Sequence, residues 1–295
     1  MEHIIFANPV SGRKNGKKKA IIVQKLLRKN NIKSKIFLSE YPRHLTYVSR
    51  KLAKKKKCRF YVIGGDGTLN EVVSGIIGTD SEIVAIPGGT GNDFVKTVSK
   101  YMSLRKIVLN SINKESTKTD CISVGNDMYC INILNAGFDA MVGKNVDNFR
   151  IFNFLSGKMK YNLSIFYTLL NNRNYKFKIR DDINGIFKGH YTLIAIANGK
   201  YYGGGICPCP NADVHDGKLD ICLVDSTTIG QKIVLLPKYK KGNHLNHKKA
   251  HIFKAKKLHI VSTHPFPVSI DGEIFYTNKL SIKVLKDAVN IVHID

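Results

Sequence analysis

Residues 64 to 71 read Gly64-Gly65-Asp66-Gly67-Thr68-Leu69-Asn70-Glu71. Three glycines around one aspartate, between an apolar run and an apolar-periodic stretch, suit a strand-to-helix turn whose backbone comes close to a ligand. Exposed amides at a helix start favour phosphate. Asp66 would repel that phosphate unless a cation lies between them, which implies Mg2+. Thr68 and Glu71 have capping-box spacing, so Thr68 is expected to cap the helix and Glu71 to reach back to the cap. The plain alternative is a tight glycine turn without a ligand.

A second loop, Pro87-Gly88-Gly89-Thr90-Gly91-Asn92-Asp93-Phe94, repeats the design. Its glycines are expected to expose backbone donors, and Asn92 and Asp93 to supply polar groups at the next helix start. A third, Asn8-Pro9-Val10-Ser11-Gly12, consists of ordinary turn dipeptides and gains weight only beside the other two. Gly12 to Lys18 fails the Walker A spacing and lacks its hydroxyl. No Gly-x-Gly-x-x-Gly occurs either, because position 70 is Asn and position 94 is Phe, which disfavours a dinucleotide fold or a protein-kinase glycine loop.

Elements must bring these loops together. Ile4 to Ala7, Lys35 to Leu38, Phe60 to Ile63 and Ile83 to Ile86 read as buried strands. Helical patterns separate them near Lys19 to Lys29, Leu45 to Leu52 and Asn70 to Ile77, and Phe94 opens another helix. Single helices between strands imply a doubly wound parallel sheet, α/β in class, with ligand sites at the strands' carboxyl ends. From about Cys121 the pattern turns β-rich, in segments 121–124, 129–132, 175–179, 191–197, 219–224, 257–261 and 267–270, with one helical insertion near 158–170. That suggests a β-sandwich-like second domain. The expected division is residues 1–120 and 121–279, with the strands near 280–284 and 289–294 returning to either domain.

Composition sets the outer limits. Of 295 residues 43% are hydrophobic, enough for a normal core. Lys plus Arg number 47 against 22 Asp plus Glu, and a formal charge of +25 favours polyanionic partners: nucleic acid, anionic lipid head groups or phosphorylated substrates. The alternative is lysines that serve solubility, and the same two readings apply to Lys54–Lys57 and to the stretch Lys238–Lys257. The six cysteines follow no framework spacing and read as buried thiols in a reducing compartment. Cys207, Cys209 and His215 lack both the usual pair spacing and a fourth ligand, so zinc is not expected there. The apolar run Leu163–Leu170 is too short to span a bilayer, leaving peripheral membrane contact and a cytoplasmic location as the expectation. The aromatic segment Phe149–Leu170 reads as core rather than lipid contact.

The segments NPVSG, GGDGTLNEVVSGI and PGGTGNDF resemble the catalytic domain of the diacylglycerol kinase family, including its soluble bacterial members. The similarity continues through NAGFDA (135–140), YYGGGICPCPNADVHDGKLD (201–220), KGNHL (241–245) and SIDGE (269–273), nearly the whole chain in order. It implies two domains with ATP in the cleft between them, a lipid substrate at an anionic membrane surface, no nucleic-acid partner, and a homodimer.

Residue by residue, the resemblance places Asn8, Pro9, Val10, Ser11, Gly12, Gly65, Asp66, Gly67, Thr68, Leu69, Asn70, Glu71 and Thr90 at positions that contact ATP. Asn92 joins them as a polar group of the same loop, and Ser39 falls near a further nucleotide contact. Asp66 and Asp93 match the aspartates that organise the catalytic Mg2+, partly through water, and Glu273 matches the general base. By sequence physics alone Asp271-Gly272-Glu273 is a hairpin turn. Asp216, with main-chain oxygens of Asp213 and Lys218, matches a second, structural Mg2+ site, and His215 stands where many relatives carry another Asp. Two rival readings remain. One is an NAD kinase or other GGDGT phosphotransferase, against which PGGTGND and IDGE speak. The other is a basic membrane- or nucleic-acid-binding protein without catalysis, which explains the charge but not two glycine loops.

Overall fold

Ile4, Ile5, Phe6 and Ala7 are all fully buried, as a strand covered on both faces must be. The computed structural model describes residues 1–11, 15–99, 102–125, 127–149, 157–171 and 174–294. Strands β1 (Glu2–Ala7), β2 (Ser34–Leu38), β3 (Cys58–Gly64) and β4 (Glu82–Pro87) pair in parallel in the order β2-β1-β3-β4. Helices α1 (Gly16–Lys29), α2 (His44–Ala53) and α3 (Asp66–Ile76) run between them, and α4 (Asp93–Val98) and α5 (Leu104–Ser111) follow β4.

Alternate strand residues serve two cores. Ile5, Ala7, Tyr61 and Ile63 pack with Ala20, Val23 and Leu27 of α1 and with Ile107 and Val108 of α5. Ile4, Phe6, Phe60 and Val62 pack with Leu45 of α2 and with Leu69, Val72 and Val73 of α3. This is the doubly wound arrangement the strand–helix alternation predicts. Because β2 lies on one side of β1 and β3 on the other, the loops leaving β1 and β3 diverge and open a crevice at the carboxyl edge.

The second half is antiparallel: β5 (Thr117–Val124), β6 (Met128–Cys130), β7 (Ile133–Gly137), β8 (Tyr175–Asp181), β9 (Ile186–Ala197), β10 (Leu219–Asp225), β11 (Ala250–Ala255), β12 (Lys257–Ile270) and β13 (Glu273–Ile291). Ile194 and Ile196 of β9 point into a core with Phe177, Ile221, Phe266 and Val268. On the other face Leu193, Ala195 and Ala197 meet α6 (Phe138–Val146), α7 (Gly157–Leu170) and α8 (Ile229–Lys241).

Several boundaries differ from the sequence reading. Segment 129–132 is strand only as far as Cys130, in β6, and β7 begins beyond it at Ile133, while 257–261 and 267–270 belong to one strand whose register shifts between Val261 and Phe266. The tail returns to both halves. β13 pairs with β12 and β5, and at Asn290 and Ile291 it runs parallel to β4, stitching one continuous sheet. Helices α6 and α8 and strands β7 and β11 have no counterpart in the sequence reading. Pro237 inside α8 and Gly143 inside α6 blur the helical period there.

Candidate active site

The glycines of the two main loops serve chiefly to let one loop lie against the other. A Cβ on Gly88 would stand 2.8 Å from the Gly64 nitrogen, and one on Gly89 2.6 Å from the Gly65 Cα. Neither Gly88 nor Gly89 has a positive φ, so contact with the facing backbone rather than conformation demands glycine there, whereas a Cβ on Gly64 would strike Thr68 of the following helix α3 at 2.4 Å. The Gly88 amide also donates to the Gly64 carbonyl at 2.9 Å. The loop after β1 joins through Asn8, whose amide donates to the Ile63 carbonyl at 3.2 Å, while Lys19 of the following α1 places its Nζ 2.7 Å from the Pro87 carbonyl. The Ser39 amide donates to the Ala7 carbonyl at 2.9 Å, so Ser39 sits at the start of the same loop cluster.

Two expectations for these loops fail. The Gly88 and Gly89 amides are not free donors, because both donate to Asn92 Oδ1 at 3.1 and 2.8 Å. Asn92, at φ 49°, braces its own loop. The capping box of Thr68 and Glu71 is absent as well. Gly65 is the N-cap, α3 starts at Asp66, and no side chain caps it. Thr68 is buried against Gly64, and Glu71 Oε2 instead accepts the Leu45 amide at 3.2 Å, capping the start of α2. Burial, and then the nearby charge of Glu273, raise the Glu71 pKa despite those amides. The first-turn amides of α3 therefore keep no side-chain acceptor, which leaves them open to a phosphate.

Asp66 and Asp93 stand behind the loops. Asp66 accepts the Asp93 and Phe94 amides at 3.1 and 2.9 Å, fixing the start of α4. Burial holds its pKa above the ordinary range, with the Asp93 charge adding to the effect. Asp93 is 2% exposed; Oδ1 meets Lys96 Nζ and Oδ2 accepts the Gly204 amide, at 2.6 and 2.7 Å. A Cβ on Gly91 would lie 3.2 Å from Asp93 Oδ2 and 3.3 Å from Asp66 Oδ2. The two carboxylates thus border one small space that only glycine leaves open.

In front lies a groove of about 1180 Å³ between α2 and α3 on one side and β6 and the β12–β13 turn on the other. Arg43, Arg50 and Lys54 line it together with Gly67, Asn70, Glu71, Asp271 and Glu273. Asn70 bridges the halves, donating to the Tyr129 carbonyl at 2.9 Å and accepting the Ile131 amide at 3.2 Å.

Two family models cover the chain: the diacylglycerol kinase catalytic domain over residues 2–124, and the YegS C-terminal NAD kinase beta sandwich-like domain over 132–293. The chain belongs to the bacterial-type diacylglycerol kinase family. It is 29% identical over 299 residues to the Bacillus subtilis protein named "Putative lipid kinase YtlR", covering 94% of this chain and 95% of that one. A Staphylococcus carnosus protein named "Putative lipid kinase" is 28% identical over 240 residues, 80% of this chain and 77% of its own. Among solved structures, a Bacillus anthracis "putative diacylglycerol kinase" superposes with a TM-score of 0.81 at 23% identity over 99% and 97% of the two chains. An Archaeoglobus fulgidus NAD kinase in complex with ATP reaches 0.55 at 13% over 99% and 93%. At these identities the superpositions speak for the fold.

Within this kinase-family scaffold the other predicted residues fall as follows. Asn8, Pro9, Val10 and Ser11 form the first loop, where Asn8 Oδ1 accepts the Val10 amide at 3.0 Å; Gly12 lies outside the described residues. Thr90 is exposed at the tip of its loop, whereas the Leu69 side chain is core and only its backbone faces the loops. Glu273 is exposed on the groove rim, its Oε2 4.0 Å from Arg43 Nη2. Asp271-Gly272 is indeed a two-residue hairpin turn, both at positive φ.

Asp271 itself was missed. Its carboxyl is buried, accepts the Ile131 amide at 3.3 Å, and is pushed up to about 7 by burial and then by the Asp66 charge. Also missed was Asp139, buried beneath the hydroxyls of Tyr202 and Tyr239 and pushed up to about 6 by burial. The motif NAGFDA contained Asp139, but nothing in it announced tyrosines 63 and 100 residues away. All six cysteines are free and buried.

The metal expectations divide. Among the described residues no group of three His, Cys, Asp or Glu is placed to hold a metal ion by itself. A Mg2+ that arrives on a nucleotide needs only one or two protein carboxylates, with phosphates and water completing its shell. Asp66 and Asp93, flanking the space at Gly91, fit that need. The Asp213–Lys218 turn differs from that pair, because the place between its carboxylates is filled: Lys254 Nζ lies 2.6 Å from Asp216 Oδ2 and 3.3 Å from Asp220 Oδ2, so a second Mg2+ does not fit there while that ammonium stays.

Proposed function

We propose that this chain is an ATP- and Mg2+-dependent lipid kinase that transfers the γ-phosphate to the hydroxyl of diacylglycerol or a related lipid. The observation that carries this reading is the convergence of three loops at one sheet edge, with Asp66 and Asp93 behind them and Glu273 across the adjoining groove. The open amides at the start of α3 suit the phosphate chain, and Arg43, Arg50 and Lys54 add positive charge beside it. Mg2+, held through Asp66 and Asp93, would offset the phosphates' negative charge. Glu273 accepts the proton of the lipid hydroxyl as its oxygen bonds to the γ-phosphorus; the bond to the bridging oxygen breaks and ADP leaves.

The lipid must be met at a membrane, and α7 supports an approach. Among the described residues no helix is long and apolar enough to cross a bilayer. Leu163, Phe166 and Leu170 form an exposed stripe along α7, while Tyr161 on its inner side packs against Gly203, next to the residue that donates to Asp93. No Asp or Glu occurs from Ser226 to Ile270, which matches an anionic surface. The Lys54–Lys57 run is partly spent within the fold, since Lys56 and Lys57 pair with Glu2 and Glu82.

The test is incubation with labelled ATP, Mg2+ and a lipid panel in anionic vesicles. Label is expected on a lipid hydroxyl, and Glu273→Ala is expected to lower transfer at least about 100-fold with its melting point unchanged. Label on NAD and on no lipid would replace this reading with the NAD kinase one, and full activity in the variant would remove Glu273 from the chemistry.

A further inference from the structure

The Asp213–Lys218 turn and strands β10 and β11 gather four charged groups. Lys254 Nζ lies 2.6 Å from Asp216 Oδ2 and 3.3 Å from Asp220 Oδ2, and Lys254 and Asp220 are direct cross-strand partners. Asp213 turns its carboxylate to the His215 amide at 3.0 Å, and the His215 ring meets the Lys118 carbonyl at 2.7 Å. The ring at position 215 is thus engaged away from the turn's carboxylates. The one carboxylate matched to a second metal faces an ammonium instead.

What the turn does explains why a cation is needed there. Its Val214 carbonyl accepts the Asp120 amide at 2.7 Å, and its Gly217 amide donates to Asp120 Oδ2 at 2.6 Å. Asp120 Oδ1 accepts the Asp287 amide at 2.8 Å. Asp120 lies on β5 and Asp287 on β13, the paired strands at the seam of the molecule. The turn therefore clips onto the seam while crowding Asp213, Asp216 and Asp220 beside Asp120. A compensating positive charge stabilises such a crowd of carboxylates.

We infer that Lys254 is the built-in cation of this turn, standing in for a bound divalent ion and holding the turn on the seam, so that the fold is independent of Mg2+ at this position. An ammonium brings three donors, which suits two carboxylates held on different elements. A tethered cation also loses less freedom on binding than an ion drawn from solution.

The experiment is a thermal melt of the full chain without nucleotide, in millimolar Mg2+ and in EDTA, so its outcome does not depend on kinase activity. Wild type is expected to melt at the same temperature in both. Lys254→Ser is expected to melt about 2–5 °C lower in EDTA and to recover in Mg2+, while Lys254→Arg stays indifferent to the ion. A wild type stabilised by Mg2+ in a manner that Asp216→Asn abolishes would overturn the inference, as would a Lys254→Ser variant unmoved by the mutation or by the ion. Should Lys254→Ser fail to fold, Mn2+ titrations of wild type and Asp216→Asn decide. Equal Mn2+ binding supports the built-in cation, and a site lost in Asp216→Asn refutes it.

Discussion

The parallel half and the antiparallel half assemble their polar groups over very different chain distances. In the parallel half Asn92 braces glycines three and four residues away, and Asp66 caps a helix start 27 residues on. In the antiparallel half Asp271 reaches a backbone amide 140 residues away, and Asp120 one 167 residues away. A doubly wound sheet delivers every strand's carboxyl end to the same edge, so short contiguous motifs suffice. An antiparallel sheet stitched by one long strand must build each polar cluster from pieces that share no motif.

The comparison is most sharply broken at Gly89. A Cβ there meets the Gly65 backbone at 2.6 Å, where neither loop has a flexible side chain to yield. Gly89→Ala is expected to cost about 1–3 kcal/mol of stability through overpacking. It should also cost at least about 100-fold in phosphotransfer, because misplaced loops misplace the phosphates. Urea denaturation and steady-state kinetics check both. A fully active, stable variant would show that the loops are not mutually fitted.

That fit was only half legible in the sequence. Gly64 to Glu71 and Pro87 to Phe94 announced the strand–turn–helix units, and the alternation of elements placed them together. The glycines' role was misread, because the partner of Gly89 is another loop's backbone and no pattern within one loop reveals it. Capping boxes tell the same story. Thr68-x-x-Glu71 has the spacing without the cap, since Glu71 is drawn to α2; Thr228-x-x-Gln231, which went unnoticed, forms a full box opening α8. Spacing permits a cap, but the neighbouring element decides it. Asp271 was illegible for a like reason: its burial against β6 and β7 depends on where β12 ends.

Asp271 and Glu273 carry the contrast into one turn, the first enclosed and the second open to water. Asp271, near 7 in the folded chain against 3.8 in the ordinary range, holds a proton through that interval which the unfolded chain releases. The folded state therefore binds more protons from about pH 4 to 7, and its stability falls as pH rises through that window. Lowering the pH from 8 to 5 is expected to stabilise wild type relative to Asp271→Asn by at most about 3 kcal/mol. Paired denaturation curves at the two values measure it. Parallel pH dependence in the two proteins would mean that Asp271 stays ionised and is better solvated than its surroundings suggest.

The smallest effect should carry the opposite sign. Gly230 lies in the first turn of α8, where a Cβ would meet nothing within 4 Å and φ is not positive. Neither contact nor conformation demands glycine there, in contrast to Gly89. Replacing it by alanine removes conformations from the unfolded chain and adds helix propensity, so Gly230→Ala is expected to stabilise by about 0.5 kcal/mol and to raise Tm by about 1–2 °C. Both variants add the same single methyl group. If both destabilise, glycine is needed in the two halves alike, and loop-on-loop contact is not what distinguishes the phosphate edge. If only Gly89→Ala does, the requirement belongs to that edge, where two backbones touch with no side chain between them.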